Sequence, residues 1–439
     1  MTIKKNYNLN DLFKILAQFI EGRTGIFIPN ITINPEIIHY YNEIIRYWNR
    51  LNFILKRITN HDKATTKLSS MKNAKYLYII FRFYEENASL NEIIKEIGAN
   101  NSEIRVINNL KNISFEKILK KKPQIEKLSL IYAYPTFLIK NLTSHMNIDF
   151  LVENLTQMNS YNPATDTFSF FINTLAMNTK DQLTQFFEDL EKEKIKVLPD
   201  KNLSNLYFSF LKNKKDLTLS EWYRSGKVII VDKASVIVAT LLNPNKDELI
   251  SDLCAAPGIK SILLASLTNN ASKIIALDFS YTRTKQMTFL LRNLSVSSAF
   301  ILNSDGITPP LRTNIRFDRI LIDAPCTGSG TLLSNPELKW RQNSNFLKQN
   351  MVLQTKLLNS AINFLKPGGV LLYSTCSLYA EEGELQILKF FDQLKPVELP
   401  KWISPSYKIN GRVIPGTGRL FPSIHHTKGF FIGKFKKKE

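Results

Sequence analysis

Cysteine and histidine are scarce in this chain, and acidic residues are well outnumbered by basic ones. Its 439 residues hold three cysteines, Cys254, Cys326 and Cys376, and five histidines. An odd, sparse set of thiols without a CxxC spacing excludes a disulfide framework and a zinc-ribbon site, and so few histidines leave little for a metal centre. We therefore expect no metal and a reducing, cytoplasmic setting. Long apolar runs are also missing: none approaches the ~20 residues a membrane-spanning helix needs. The N-terminal apolar stretch Leu12–Ile20 is broken by Lys14 and Gln18, so neither a signal peptide nor a membrane association is expected. Against 58 Lys and Arg stand only 38 Asp and Glu, a formal net charge of +20. A positive field of that size suits a polyphosphate partner. Abundant Ile and Asn give a lysine-rich proteome as the competing explanation, so charge points to nucleic acid without establishing it.

The chain is too long for one ordinary core, and three stretches differ in pattern. Residues 1–130 read as helices: Ile44, Ile45, Trp48, Leu51, Leu55 and Ile58 recur at helical spacing, and Ala74–Tyr84 forms another apolar helix. The basic stretch Lys117–Lys122 closes this part before Pro123. Residues 131–215 read as a small α+β unit, with a strand over Phe168–Leu175, a helix over Lys180–Lys194 and a second strand starting at Ile195–Val197. Residues 216–439 alternate apolar strands with helices, among them strands at Leu249–Leu253, Lys273–Asp278, Ala299–Leu302 and Arg319–Ile322. That alternation predicts an α/β, Rossmann-like domain with a parallel sheet covered on both faces.

In such a sheet ligands sit beyond the carboxyl ends of the strands, which is where the unusual residues fall. The first strand runs into Asp252-Leu253-Cys254-Ala255-Ala256-Pro257-Gly258-Ile259-Lys260. Small residues and glycine let a ligand approach the backbone, and the next helix start offers free N–H groups. The second strand ends in Asp278, placed to accept hydrogen bonds from ribose hydroxyls, and the third in Ser304-Asp305-Gly306, placed to hold an adenine amino group. This is not the GxGxxG fingerprint, which disfavours a nicotinamide cofactor. Each aspartate alone also fits turn or helix-cap duty. Three at successive strand ends favour an adenosine-containing cofactor.

Two further strand ends carry thiols: Asp323-Ala324-Pro325-Cys326-Thr327-Gly328 and Tyr373-Ser374-Thr375-Cys376-Ser377. A lone cysteine after an apolar strand is usually a small buried hydrophobe. Two at adjacent strand ends beside a cofactor loop suggest chemistry. Carbon 5 of cytosine is a poor nucleophile; adding a thiolate to carbon 6 makes the ring enamine-like and moves electron density onto carbon 5. A carboxyl that protonates or hydrogen-bonds N3 assists the addition, and Asp323 is placed for it. A second thiol can assist release.

Residues from about 130 to 435 resemble the RNA cytosine-5 methyltransferase family, often called the Sun or Fmu family. The motifs Asp252–Lys260, Asp278, Asp305, Asp323–Gly330 and Ser374–Ser377 occur in the family's order, and Arg419–Pro422 with Gly429–Phe431 resembles its closing strands. The resemblance implies that Cys376 is the nucleophile, that Cys326 helps release product, and that Asp323 contacts the base. It also implies S-adenosyl-L-methionine as cofactor, held by the loop Cys254–Lys260 with Asp278, Asp305 and Asp323. Four positions depart from the family pattern. Ile259 stands in place of a second glycine, Gly383 in place of Asn, Lys428 in place of Asp, and Phe171 in place of Arg, the last expected to remove an RNA backbone contact. The N-terminal helices resemble the NusB-like RNA-binding bundle of ribosomal-RNA members only in length, position and helical character. These resemblances imply an RNA partner, ribosomal RNA ahead of transfer RNA, and a monomer is the default. The competing reading is a non-catalytic RNA-binding assembly factor on a methyltransferase fold. A DNA cytosine enzyme would use the Pro-Cys thiol and has no reason to keep Thr375-Cys376.

Overall fold

A computed structural model describes residues 8–22, 34–59, 69–160 and 166–439. The chain divides into two compact units: residues 1–141 with Leu332–Gln342, and residues 142–331 with 343–439. No helix among the described residues is long and apolar enough to cross a membrane.

The first unit is helical. Its core gathers Leu12, Leu16, Ile44, Leu51, Ile54, Leu77 and Ile80, all fully buried, from the helices Leu9–Ile20, Pro35–Arg46, Trp48–Thr59 and Ser70–Tyr84. The helical spacing read across residues 44–58 belongs to two helices rather than one, because the backbone turns at Tyr47 while both halves keep their apolar faces inward. Capping is explicit in the sequence: Ser89 with Glu92 and Asn100 with Glu103 form reciprocal capping boxes that satisfy the free N–H groups of the next two helices. The segment Leu332–Gln342 is packed into this unit although it lies far along the chain. Trp340 donates its indole N–H to Ile45 O at 2.6 Å, Tyr41 donates to Glu337 at 2.6 Å, and Arg46 donates to Leu333 O at 3.1 Å. Lys339 is fully buried over the Tyr134 ring and donates to Arg46 O and Ala133 O, each at 3.2 Å. Burial, with Arg46 nearby, holds its ammonium well below the usual lysine range.

The second unit contains two sheets. Strands β1 (Thr167–Ile172), β2 (Val197–Pro199), β3 (Leu206–Phe210) and β4 (Val228–Ile230) form an antiparallel sheet in the order β2-β3-β1-β4. The expected strand over 168–175 stops at Ile172, since the buried Asn173 side chain turns to donate to Gly226 O and Leu294 O, at 2.9 and 3.0 Å. The large sheet holds β5 (Leu249–Asp252), β6 (Lys273–Asp278), β7 (Ala299–Asn303), β8 (Phe317–Asp323), β9 (Leu365–Thr375), β10 (Leu394–Pro396), β11 (Ser404–Pro405), β12 (Thr417–Leu420) and β13 (Phe430–Lys437). Its order is β11-β12-β13-β9-β8-β5-β6-β7, with β10 paired to β13.

The stretch β9-β8-β5-β6-β7 is parallel, as alternation of strands and helices requires, while β13 and its neighbours return antiparallel. Side chains alternate between two covered faces. Leu321, Leu372 and Ile432 pack beneath the helices Lys233–Leu242 and Ile259–Leu267, whereas Ile320, Ile322 and Leu371 meet the helix Ser344–Phe364. The chain leaves β5 for β6 on one side and reaches β8 on the other. This is the switch point at which an open α/β sheet offers a crevice.

Candidate active site

The crevice opens at the carboxyl end of β5. Ala255 and Ala256 are buried, and Gly258 adopts φ +106°, where a Cβ would lie 2.6 Å from Leu291 Cδ1 and 2.8 Å from Met287 Cγ. Only glycine fits that turn. Ile259 begins the following helix and packs its side chain against the core, which accounts for an apolar residue there. Asp278, at the end of β6, accepts from Ala256 N at 3.1 Å and Ser280 N at 3.0 Å, so it braces the loop as well as facing the crevice. Asp305 follows β7 and accepts from Ile307 N at 2.9 Å; at Gly306 a Cβ would meet Leu253 O at 2.8 Å. Cys254 belongs to the same loop, and burial, with the charges of Asp252, Asp323 and Asp278, pushes its thiol well above the usual range.

Asp252 is fully buried. Ser261 Oγ donates to one carboxylate oxygen at 2.8 Å, and the other has no hydrogen-bond partner among the described residues. Burial pushes its pKa up from 3.8 to about 7, against the pull of Ser261 and Lys260. The folded state therefore keeps this proton through a range in which the unfolded chain has lost it. The stabilising contribution is complete below about pH 4 and is lost as pH rises through about 7, a change on the order of 4 kcal/mol. Asp252→Asn should abolish that dependence. Urea unfolding of the ligand-free protein at a series of pH values measures it: the variant should gain on the wild type as pH climbs. A constant difference would show that Asp252 titrates alike in both states.

Strands β8 and β9 run side by side, with Asp323 in register with Ser374. This places the two cysteine-bearing segments together: Cys326 Sγ and Cys376 Sγ are 3.1 Å apart, both as free thiols. Asp323 accepts from Lys260 Nζ at 2.6 Å and from Ser374 Oγ at 2.8 Å. Burial alone would pull the Lys260 ammonium down, but the charge and hydrogen bond of Asp323, with Asp252 and Cys376 nearby, hold it above its ordinary value. The hydrogen bond to Cys376, then burial, push the Cys326 thiol well up, and the Glu382 charge adds to this. Cys326, Cys376, Asp323 and Lys260 thus form one cluster, while Asp278 and Asp305 flank the loop from the next two strands.

The strand-end reading missed a buried polar layer beneath the thiols. Glu382, fully buried, accepts from Thr327 N at 2.9 Å and from Gln354 Nε2 at 3.0 Å. Behind it, Arg419 and Glu384 form an ion pair with both side chains fully buried. In sequence, Glu381–Glu384 has the composition of a solvated acidic turn. The available signal was indirect: three carboxylates within a few residues of the candidate nucleophile Cys376.

Of the four departures, Gly383 has a steric reason, since a Cβ there would lie 2.6 Å from the Phe431 ring. Lys428 pairs with Asp232 at 3.4 Å, and Phe171 is buried in β1 among core residues. Gly330 and Gly429 meet backbone to backbone: Gly429 N donates to Gly330 O at 3.0 Å, and a Cβ on Gly330 would fall 2.0 Å from Gly429 O.

The sheet order, the tight glycine turn after β5 and the strand-end carboxylates define a Rossmann-like methyltransferase fold. Residues 239–436 match the model of the family described as 16S rRNA methyltransferase RsmB/F. A probable ribosomal RNA small subunit methyltransferase B of Synechocystis is 36% identical over 224 residues, covering 49% of each chain. The 25S rRNA (cytosine-C(5))-methyltransferase nop2 of Schizosaccharomyces pombe is 27% identical over 359 residues, 76% of this chain and 56% of that protein. The chain thus spans about half the length of these curated relatives. Among solved structures, PH0851 shares the fold with a TM-score of 0.76 at 24% identity, over 99% of this chain and all of that one.

Proposed function

We propose that the protein forms 5-methylcytosine in RNA, ribosomal RNA first, using S-adenosyl-L-methionine and a covalent Cys376 adduct. The observation that carries this reading is the pair of free thiols 3.1 Å apart beside the Lys260–Asp323 pair. A scaffold has no use for that arrangement. The crevice fits the cofactor. The orphaned oxygen of buried Asp252 can accept a hydrogen bond from a bound group at this strand end. In this reading the loop Cys254–Lys260 holds the cofactor with Asp278 on the ribose, Asp305 near the adenine and Asp323 at the base. The bound cofactor supplies a methyl group on a sulfonium.

Cys376 adds as thiolate to carbon 6, and the ring electrons move to carbon 5. Asp323, held by Lys260 and Ser374, delivers a proton to N3, its own or one passed on from the Lys260 ammonium, so the addition leaves no bare negative charge on the ring. After methylation carbon 5 must lose its proton to a base; the returning electrons reform the ring double bond and break the carbon 6–sulfur bond. Cys326, within reach of the Cys376 sulfur, assists that departure. A target cytosine inside a helix has to be unstacked to reach this cluster.

We assign residues 1–130 and 131–215 to RNA contact and 216–439 to catalysis, in a cytoplasmic monomer. The net charge of +20 supports RNA as partner. The test is methyl transfer from labelled cofactor to total RNA of a strain lacking the protein, followed by bisulfite sequencing. One ribosomal cytosine should gain the label at carbon 5. Binding to ribosomal RNA with no methyl group on any base would favour the assembly factor.

A further inference from the structure

The proposed reaction gives two adjoining thiols opposite tasks, so something must decide which attacks. Glu382 lies between the segments that carry them. Its carboxylate accepts from Thr327 N, with 2.9 and 3.2 Å to its two oxygens, from the Thr327 hydroxyl, and from Gln354 Nε2 at 3.0 Å. Gln354 also donates to Pro325 O at 2.9 Å, so both neighbours of Cys326 are tied to this group. The backbone carbonyl of Glu382 in turn accepts from Tyr373 OH at 2.9 Å, on the strand that leads into Cys376.

We propose that Glu382 is the positioning residue that sets the roles of the two thiols: it fixes the Cys326 loop against Cys376 and sets a buried negative charge beside Cys326. The inference rests on the proposed thiol chemistry but concerns the protein alone.

Donors from Ser377, Thr327 and Gln354 converge on the carboxylate, as an ionised acceptor requires, although burial raises its affinity for a proton. The charges acting on Cys326 include those of Cys376 and Glu382, with Tyr373 also nearby. Cys376 lies instead within electrostatic range of the Lys260 ammonium. An unpaired charge in this dry layer therefore opposes a second anion at Cys326. As a protonated thiol, Cys326 can give its proton to the departing Cys376 sulfur and is a poor competitor for carbon 6.

The experiment is iodoacetamide alkylation of the full chain without RNA, with the two cysteine peptides quantified by mass spectrometry from pH 6 to 10. In wild type Cys376 should be alkylated first across the range; equal or earlier labelling of Cys326 overturns the proposal and needs no variant. In Glu382→Gln, which keeps the shape and one acceptor, the Cys326 rate at pH 8 should rise about tenfold, one unit in its pH profile. An unchanged Cys326 profile in a variant that melts like wild type also overturns it. These outcomes are independent of whether the protein methylates RNA, so the proposed function can fail without them and they without it.

Discussion

Cys376→Ala protein will transfer no detectable methyl group to RNA and form no covalent complex with it, a loss on the order of 10⁴-fold or more, as expected when a covalent nucleophile is removed. Cys326→Ala protein will instead accumulate an adduct that survives a denaturing gel. In the proposed reaction the two outcomes differ because addition and release use different sulfurs. Without Cys376 nothing adds to carbon 6, and the ring stays too electron-poor at carbon 5 to accept a methyl group. Without Cys326, Cys376 and the Lys260–Asp323 pair are untouched, so addition and methylation go forward while elimination is left unaided. The sulfurs are 3.1 Å apart, so position alone gives neither priority; the asymmetry comes from the surroundings. Lys260 lies near Cys376 and Glu382 near Cys326. The check is electrophoresis of each variant with labelled RNA and cofactor, before and after protease. An adduct in Cys376→Ala and none in Cys326→Ala would exchange the two roles.

How far the sequence reveals this arrangement depends on how locally each feature is encoded. The strand ends are local: each apolar run stops at a polar or small residue, so Asp252, Asp278, Asp323 and Cys376 could be placed at one edge of a sheet from spacing alone. Parallel pairing of β8 with β9 then brings Cys326 and Cys376 together without further information. Three features are not local. The helix break at Tyr47 leaves the apolar spacing intact on both sides, and periodicity reports the buried face rather than chain continuity. The packing of Leu332–Gln342 with the N-terminal helices depends on Lys339, a residue type that reads as solvated; it is buried because backbone carbonyls and the Tyr134 ring receive its charge. Glu382, Glu384 and Arg419 read as surface charges for the same reason. Their partners lie elsewhere in the sequence, and a charge reveals its burial only through its partner.

That last group makes the second large prediction. Glu384→Ala should cost about 3–5 kcal/mol of stability, the range for removing one partner of a buried ion pair, against a total of about 5–15 kcal/mol for an ordinary domain. Arg419 Nε and Nη2 donate to the Glu384 carboxylate at 2.7 and 2.5 Å, and both side chains are fully buried. Burial works against the Arg419 charge, and Glu384 outweighs it, keeping the guanidinium above its ordinary value. Remove Glu384 and the cation stays in place with no carboxylate bonded to it, held by Ser377 O, Tyr379 O and the Tyr407 and Phe431 rings. Tyr407 N, which donates to Glu384 at 2.8 Å, loses its acceptor too.

The double variant Glu384→Leu, Arg419→Met should recover much of the loss, because it removes both desolvated charges instead of stranding one. Activity should not recover with it. Arg419 holds the carbonyls of Ser377 and Tyr379, one and three residues after Cys376, at 3.0 and 3.1 Å, and a methionine offers them no donor. Urea unfolding and methyl transfer, measured on the same three proteins, separate the two contributions. If stability and activity return together in the double variant, the ion pair serves the core alone; if only stability returns, Arg419 also fixes the segment that aims the attacking sulfur.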